Sequence, residues 1–240
     1  MTFPDADRLI GATLATWPAA STRRLGPWTL RGDSGAGRRT ACATTARPVT
    51  DTEIGAACAA MQTTGQRALF LVPAGADALD RQLQAAGCTG RLNCHFFAAP
   101  AADLAARDLP HVAAFTIWEP LAIMCDIWDE AGIGPARREV MHRLTLPKTG
   151  VLGRTRDCPA GAAFVAADAD VAMLQAVFTR PPLRRAGTAR HMAIAAARWA
   201  VAAGADTLAL AVEAGNDNAI ATYAALGLTP ASGYHYRWQP

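Results

Sequence analysis

The sequence has few charged residues and lacks the long patterns that mark several classes of protein. Only 18% of its 240 residues are charged and the formal net charge is +3, which gives little support for a nucleic acid as the main partner. No apolar run approaches the roughly 20 residues that a membrane-spanning helix needs. The first residues have no basic segment followed by an apolar one, so we expect no secretory signal. We therefore predict a cytoplasmic protein without a membrane or nucleic-acid partner.

Residues for several common kinds of catalytic site are also scarce. The three serines lie outside any nucleophile-elbow pattern, and the five histidines lack metal-ligand spacing. The six cysteines are scattered without a CxxC pair, which favours free thiols in a reducing compartment. We therefore expect no metal, and neither serine hydrolysis nor a disulfide framework is supported.

Apolar residues, in contrast, are plentiful and follow a mixture of strand and helix patterns. They make up 51% of the chain, which is enough for the cores of two modest domains. Capping-box spacing at Thr50–Glu53 predicts the start of a helix, and residues 207–212 are apolar on both faces, as in a central strand. Residues 99–110 resemble a linker. We therefore predict an α+β fold with domains at 1–104 and 105–240.

The stretch Arg184-Arg185-Ala186-Gly187-Thr188-Ala189-Arg190 connects a predicted strand, residues 171–178, to a predicted helix, residues 188–203. The first turn of a helix has N–H groups without intrahelical partners and lies at the positive end of the helix dipole. Gly187 allows a phosphate to approach the backbone closely, and the arginines add positive charge. The pattern favours a phosphate-bearing ligand; an ordinary turn with solvated arginines is the alternative.

A repeat relates the two halves of the chain. With a shift of 140 positions, residues 72–95 align without a gap on residues 212–235, with eight identities in twenty-four positions. The identities include two turn glycines, an aspartate and a histidine. We interpret this as one strand–helix–strand unit that occurs twice, and hence as two related domains.

The two copies differ in their polar residues. Asn216 and Tyr223 in the second copy replace Ala76 and Leu83 in the first, and the first half has no counterpart of Gly187. If one half is active, it is therefore the second.

Arg184-x-x-Gly187-x-Ala189, followed by Asn216, Tyr223 and Leu226-Gly227-Leu228, resembles the signature of the GCN5-related N-acetyltransferase (GNAT) superfamily. The resemblance covers residues 117–238 well, and the duplication resembles tandem members whose first domain is degenerate. It implies two tandem domains, each a mixed, mostly antiparallel twisted sheet flanked by helices, with acetyl-CoA as the acetyl donor.

The resemblance also implies roles for individual residues. Backbone groups of Val177, Phe178 and Thr179 would bind pantetheine. Asn216 would bind the pantetheine arm, and Tyr223 would protonate the departing thiolate as the catalytic acid. The residues that would surround the pyrophosphate are Arg184, Arg185, Ala186, Gly187, Thr188, Ala189 and Arg190.

Each of these roles has a structural alternative. Asn216 directly precedes a predicted helix and is a natural N-cap. Tyr223 lies at helical spacing from Ile220 and Leu226, which is also typical of core packing. Arg190 is equally compatible with a solvated helix face.

A general base is missing from the two strand positions at which many members carry glutamate. Phe178 and Ala211 stand there, and Glu119, Glu213, Asp170 and His235 remain as candidates acting through water. An α-amine of pKa about 8 is roughly a tenth neutral at pH 7, whereas lysine is far less so. We therefore expect acetylation of a small-molecule or peptide amine, with a non-catalytic acetyl-CoA-binding module as the alternative; the oligomeric state is open.

Overall fold

The fold was analysed in a computed structural model, which describes residues 3–33 and 35–240. The strands of the described chain are β1 (Ser21–Leu25), β2 (Trp28–Gly32), β3 (Ala43–Thr45), β4 (Leu69–Pro73), β5 (Gly90–Pro100), β6 (Ala114–Ile117), β7 (Lys148–Thr155), β8 (Cys158–Asp168), β9 (Val171–Thr179), β10 (Thr207–Glu213) and β11 (Thr229–Trp238). The helices are α1 (Ala6–Ala15), α2 (Asp51–Thr63), α3 (Asp77–Ala85), α4 (Ala101–Ala105), α5 (Ala122–Glu130), α6 (Pro135–Arg143), α7 (Thr188–Ala202) and α8 (Asp217–Ala225).

All the strands above join one sheet in the order β1-β2-β3-β4-β11-β5-β10-β9-β8-β7-β6. Neighbouring strands are antiparallel except for the pairs β3–β4 and β9–β10, which are parallel. The sheet is thus mixed and mostly antiparallel, with helices packed against it, as predicted. Both halves of the chain contribute to it without a break.

The repeated unit takes the same form in both halves, as β4–α3–β5 and as β10–α8–β11. The two copies exchange their last strands, because β5 pairs with β10 and β11 pairs with β4. The register is reciprocal: His95 lies opposite Val212, and His235 lies opposite Val72. His95 and Val72 are each 140 positions from their counterparts, His235 and Val212. The sequence repeat therefore corresponds to a pseudo-two-fold axis at the central pair of strands, β5 and β11.

The segment predicted as a linker is folded. Its beginning completes β5, and helix α4 follows, with Ala101 and Leu104 fully buried against α7. Small apolar side chains allow the two helices to pack closely, and composition alone does not distinguish such a helix from a flexible segment. The division of the chain into domains 1–104 and 105–240 stays a prediction.

Local signals account for most of the helix ends. Thr50 and Glu53 form the predicted capping box of α2, and Asp5 caps α1 by accepting a hydrogen bond of 2.8 Å from the backbone N–H of Arg8. Helix α5 begins at Ala122, after Pro120, which disfavours helical conformation at the residue before it. Between β2 and β3, residues Arg38–Thr40 form a short 3₁₀ turn.

Helix α7 lies unusually close to the sheet. Its buried face consists mainly of alanine, so its backbone approaches the strands. A Cβ on Gly153 of β7 would lie 2.7 Å from the Thr188 methyl group, which leaves no room for a larger residue there. This close packing places the beginning of α7 beside the end of β9.

Candidate functional site

The sheet opens into a fork between β9 and β10. These strands pair only from Val171 to Met173, opposite Thr207 to Ala209. Beyond Met173, β9 continues to Thr179 along β8, whereas β10 remains paired with β5 up to Glu213. The last residues of β9 therefore present one backbone edge to an opening instead of to a neighbouring strand.

A bulge bends β9 at the opening. The register with β8 shifts between Ala162 and Phe164, and Ala176 has a φ of 51°, in the left-handed region. The indole N–H of Trp128 donates a hydrogen bond of 2.9 Å to the Ala176 carbonyl. The bulge changes the register of β9 just before Val177–Thr179, which follow it at the fork. These are the residues whose backbone is predicted to bind pantetheine.

The turn after β9 has the form of an anion-binding cradle. Arg185 and Gly187 have φ values of 65° and 80°, and Gly187 is the N-cap of α7. Glycine has no side chain to accept hydrogen bonds from the first N–H groups of the helix, so these groups remain available. A Cβ at position 187 would lie 3.3 Å from the ring of His191, so a larger residue would disturb both the backbone and this ring.

Three enclosed polar atoms at this turn have no hydrogen-bond partner within the described chain. They are the hydroxyls of Thr179 and Thr188 and the Nδ1 atom of His191. Among the described residues, one further buried side-chain atom, the Tyr236 hydroxyl, also lacks a partner. Because unsatisfied buried polar groups are costly, their concentration at one turn favours a site at which a ligand or water supplies the missing partners. The sequence hypothesis missed His191, although its spacing of four residues from Gly187 indicates the same face of the helix.

The arginines around the turn are available for an anion. Arg184 donates a 3.1 Å hydrogen bond to the Thr179 carbonyl and lies over the Phe178 ring. Arg184, Arg185 and Arg190 are exposed, and none of them forms an ion pair with a carboxylate in the part of the chain that the structure describes. Burial and the charge of Arg190 lower the pKa of His191, which favours its neutral form.

Asn216 caps α8, which was the structural alternative to a cofactor contact. Its side-chain oxygen accepts a 3.2 Å hydrogen bond from the backbone N–H of Ala219, and the side chain is exposed. The cap uses the oxygen of the amide, and the nitrogen makes no hydrogen bond to a described residue. A cofactor contact of Asn216 therefore stays a prediction, compatible with the cap.

Tyr223 packs into the core beneath α7 and α8, with only 6% of its surface exposed. Half-buried Val177 of β9 packs against the same cluster. The Tyr223 hydroxyl makes no hydrogen bond to a described residue, and burial raises its pKa well above the usual range. Tyr223 therefore packs in the core, as its structural alternative predicts, and also carries a protonated hydroxyl. Its catalytic role stays a prediction.

The structure separates the four candidates for a general base. Asp170 is bound to Arg8 at the β8–β9 turn, and His235 is bound to Asp80. Glu119 is exposed near Lys148. Only Glu213, at the end of β10, lines a cavity that also contains Ala176 and Ala211. Phe178 and Ala211, the positions of the missing glutamates, both lie beside the fork.

No group of three or more histidine, cysteine or acidic side chains is arranged to hold a metal ion within residues 3–33 and 35–240. In the same part of the chain, no helix has the length and hydropathy to cross a membrane. All six cysteines are free thiols.

The sheet forks beside a glycine-capped helix, and hydroxyls and arginines without partners among the described residues lie at the junction, an arrangement that suits a phosphorylated ligand along β9. The family model for acetyltransferases of the GNAT family matches residues 123–228. No curated protein matches the sequence.

Solved structures show the same fold over nearly the whole chain. A GCN5-related N-acetyltransferase from Kribbella flavida is 20% identical, with a TM-score of 0.73, and the match covers 98% of this chain and 95% of the other. A tandem GNAT protein from the clavulanic acid biosynthesis pathway is 12% identical, with a TM-score of 0.61 and coverage of 94% and 86%. The family model thus covers residues 123–228, and the solved structures show that the chain has the fold of GNAT acetyltransferases.

Proposed function

We propose that the protein is an N-acetyltransferase that moves the acetyl group of acetyl-CoA to a primary amine. The observation that carries this proposal is the fork, where the free edge of β9 leads directly to the cradle at Gly187. An elongated ligand with an amide-rich arm and a pyrophosphate fits this arrangement, in which the backbone edge of β9 faces the arm and the cradle faces the pyrophosphate. The enclosed hydroxyls of Thr179 and Thr188 supply hydrogen-bond partners for it.

The cofactor would be held along this path. Backbone groups of Val177, Phe178 and Thr179 would bind the pantetheine arm, and residues 184–190 would bind the phosphates. When bound, acetyl-CoA supplies the acetyl group as a thioester. Asn216 has an amide nitrogen available for the pantetheine arm while its oxygen caps α8.

Tyr223 would supply the proton of the transfer. As the nitrogen–carbon bond forms and the carbon–sulfur bond breaks, its hydroxyl would protonate the sulfur that leaves. Its raised pKa keeps Tyr223 protonated at neutral pH, yet also makes it a weaker acid. Burial raises the pKa of a thiol in the same environment as well, which offsets this cost.

The amine must lose a proton to become nucleophilic. Glu213 lines the cavity beside Ala211 and is half-exposed, so it can accept this proton directly or through water. Glu213 is the one carboxylate proposed as a base, since positions 178 and 211 carry no glutamate. Weakly basic amines are therefore the better acceptors, because a larger fraction of them is neutral at pH 7.

The test measures thiol release from acetyl-CoA with a panel of amines, beside CoA binding by calorimetry. We expect release with some amines, and a loss of about 100-fold in Tyr223→Phe with unchanged CoA affinity. Tight CoA binding without release for any amine would favour the non-catalytic module. Absence of CoA binding would overturn both functions.

A further inference from the structure

A cavity of about 200 Å³ lies where the two halves of the sheet meet. Its wall includes Cys94 of β5 and Tyr234 of β11, which are paired at the pseudo-two-fold axis. On one side it reaches the bulge at Ala176 and the neighbouring Ala211 of β10. The cavity thus begins at the fork, where the thioester would lie, and extends away from the cradle at Gly187.

Three arginines from separate parts of the chain line this cavity. Arg38 and Arg39 come from the 3₁₀ turn after β2, and Arg137 comes from the first turn of α6. One acidic residue, Glu213, accompanies them among the lining residues. It pairs with Arg38 at 3.2 Å, and both side chains are half-exposed at the rim. The cavity therefore has two cations more than it has carboxylates.

Two of these arginines, Arg39 and Arg137, have no counter-charge among the described residues. Neither Arg39 nor Arg137 forms an ion pair with a carboxylate of residues 3–33 and 35–240. Partly buried Arg39 donates a 2.5 Å hydrogen bond to the side-chain oxygen of Gln175. Gln175 is itself fixed by a 2.9 Å hydrogen bond from its amide nitrogen to Thr16. A cation held inside the protein by a neutral amide is costly unless an anion joins it.

A hydroxyl in the same cavity lacks a partner. Tyr236 lines the cavity, and only 3% of the residue's surface is exposed. Its hydroxyl has no hydrogen-bond partner in the part of the chain that the structure describes. Together with Arg39 it offers an enclosed donor beside an uncompensated cation, which is the donor set that a carboxylate binds.

We propose that this cavity binds the acceptor, and that the acceptor is a small amine that also carries a carboxylate, such as a single amino acid. Arg39, Arg137 and Tyr236 bind the carboxylate, and Glu213 receives the ammonium group beside Ala176. This inference names the substrate class of the proposed N-acetyltransferase and rests on that function. The volume of about 200 Å³ lies below the range of about 300–1,000 Å³ for drug-sized ligands, which favours a compact molecule over a peptide chain.

The test compares acceptors that differ only in the anionic group. Each amino acid of a panel is measured beside its amide, its decarboxylated amine and its aminophosphonate, with kcat/KM for thiol release as the readout. We expect at least one amino acid to exceed its amide by about 100-fold, because the amide leaves both arginines unpaired. The amide has the less basic amine, since a neighbouring carboxylate favours the ammonium form, so basicity opposes this preference. A phosphonate that exceeds the carboxylate would overturn the assignment of a carboxylate.

Variants of the lining arginines test whether these residues cause the preference for amino acids over their amides. Arg39→Met replaces the guanidinium with an apolar chain of similar length, and Arg137→Gln removes the charge at the start of α6. Each variant is expected to reduce the ratio of kcat/KM for the amino acid to kcat/KM for its amide by about tenfold or more, mainly through KM. Arg39→Lys keeps the charge and should recover part of the ratio. Exposed Arg24 on β1, outside the cavity, serves as the control in Arg24→Gln. Thermal unfolding checks that each variant is folded.

The outcomes separate this inference from the proposed function. Transfer to amines with equal rates for acids and amides, or an acid preference that survives both Arg39→Met and Arg137→Gln, overturns the inference and leaves the N-acetyltransferase intact. CoA binding without transfer to any amine refutes the proposed function, and the acceptor inference with it.

Discussion

The two strand–helix–strand copies have the same topology and reciprocal strand register, yet only one of them lies beside a ligand cradle. In the first copy, Ala76 precedes α3, which has no side-chain cap, and Leu83 is buried beneath the helix. In the second, Asn216 caps α8 and Tyr223 occupies the equivalent buried position. The fold therefore needs an apolar group at this position, whereas packing does not require the hydroxyl of Tyr223.

The first copy carries its polar residues elsewhere. Asp80 binds His235 and Arg237 of β11, and Arg91 joins the same carboxylate. The pseudo-symmetry relates Asp80 and Arg237 to Ile220 of α8 and Phe97 of β5, which are apolar and pack into the core. His95, the equivalent of His235, is exposed, so the two histidines share a register position without sharing a partner. One copy thus holds its exchanged strand by charges and the other by apolar packing.

The largest expected effect comes from making the second copy resemble the first at Tyr223. Tyr223→Phe keeps the buried ring and removes the hydroxyl, so thiol release should fall about 100-fold while the free energy of unfolding changes little. Steady-state kinetics and urea unfolding measure the two quantities. Leu83→Met in the first copy is the matched control, which should leave kcat unchanged. Full activity of Tyr223→Phe would assign Tyr223 to packing alone.

The second prediction concerns the charge cluster of the first copy. Asp80→Ile leaves Arg237 buried without its carboxylate and should reduce the free energy of unfolding by about 2 kcal/mol. Asp80→Ile combined with Arg237→Phe reproduces the symmetry-related pair Ile220 and Phe97 and should recover most of the lost free energy of unfolding. Urea unfolding at pH 7 measures both. Equal losses in the single and double variants would contradict the interpretation that charge pairing and apolar packing are interchangeable here.

The same cluster predicts a dependence of stability on pH. The Arg237 guanidinium holds the pKa of Asp80 well below its usual range. Because the folded-state pKa lies below the unfolded value of about 3.9, this contribution is complete above that pH and is lost as pH falls through the folded-state pKa. Urea unfolding at pH 6 and pH 3.5 should show a larger loss for the wild type than for the Asp80→Ile/Arg237→Phe variant.

A smaller effect is expected at the cradle, which has no counterpart in the first half. Gly187→Ala forces a Cβ into left-handed backbone beside His191, which costs about 1–2 kcal/mol unless the turn moves. We expect CoA to bind about tenfold more weakly, as measured by calorimetry. Gly87→Ala, at a similar positive φ but with open space around it, should reduce stability without changing CoA affinity. Equal affinity in Gly187→Ala would argue against the cradle.

The smallest effect concerns the helix caps. Asn216→Ala should lower the free energy of unfolding by about 1 kcal/mol, and Ala76→Asn should raise it by up to the same amount, since α3 begins without a cap. Urea unfolding measures both. If Asn216 also binds the pantetheine arm, Asn216→Ala weakens CoA binding, whereas Ala76→Asn does not; identical CoA affinities would reduce Asn216 to a cap.

Much of the fold was predictable from local sequence. The capping box at Thr50, the buried face of α7, and the apolar strand β10 follow from periodicity and from end signals that act over a few residues. The repeat at 140 positions correctly predicted two equivalent strand–helix–strand units. Ala101 and Leu104 were misinterpreted because their helix is defined by burial against α7, which lies far away in the sequence.

The order of the motif residues, the single copy of Gly187 and the absence of glutamate at positions 178 and 211 can be read from the amino-acid sequence alone. Only the tertiary structure decided that the copies exchange their last strands, because pairing partners are chosen by contacts between distant segments. It also decided that Arg39, Arg137 and Tyr236 share one cavity. These residues are about 100 positions apart along the chain, and they meet because β5 and β11 lie side by side at the centre of one sheet.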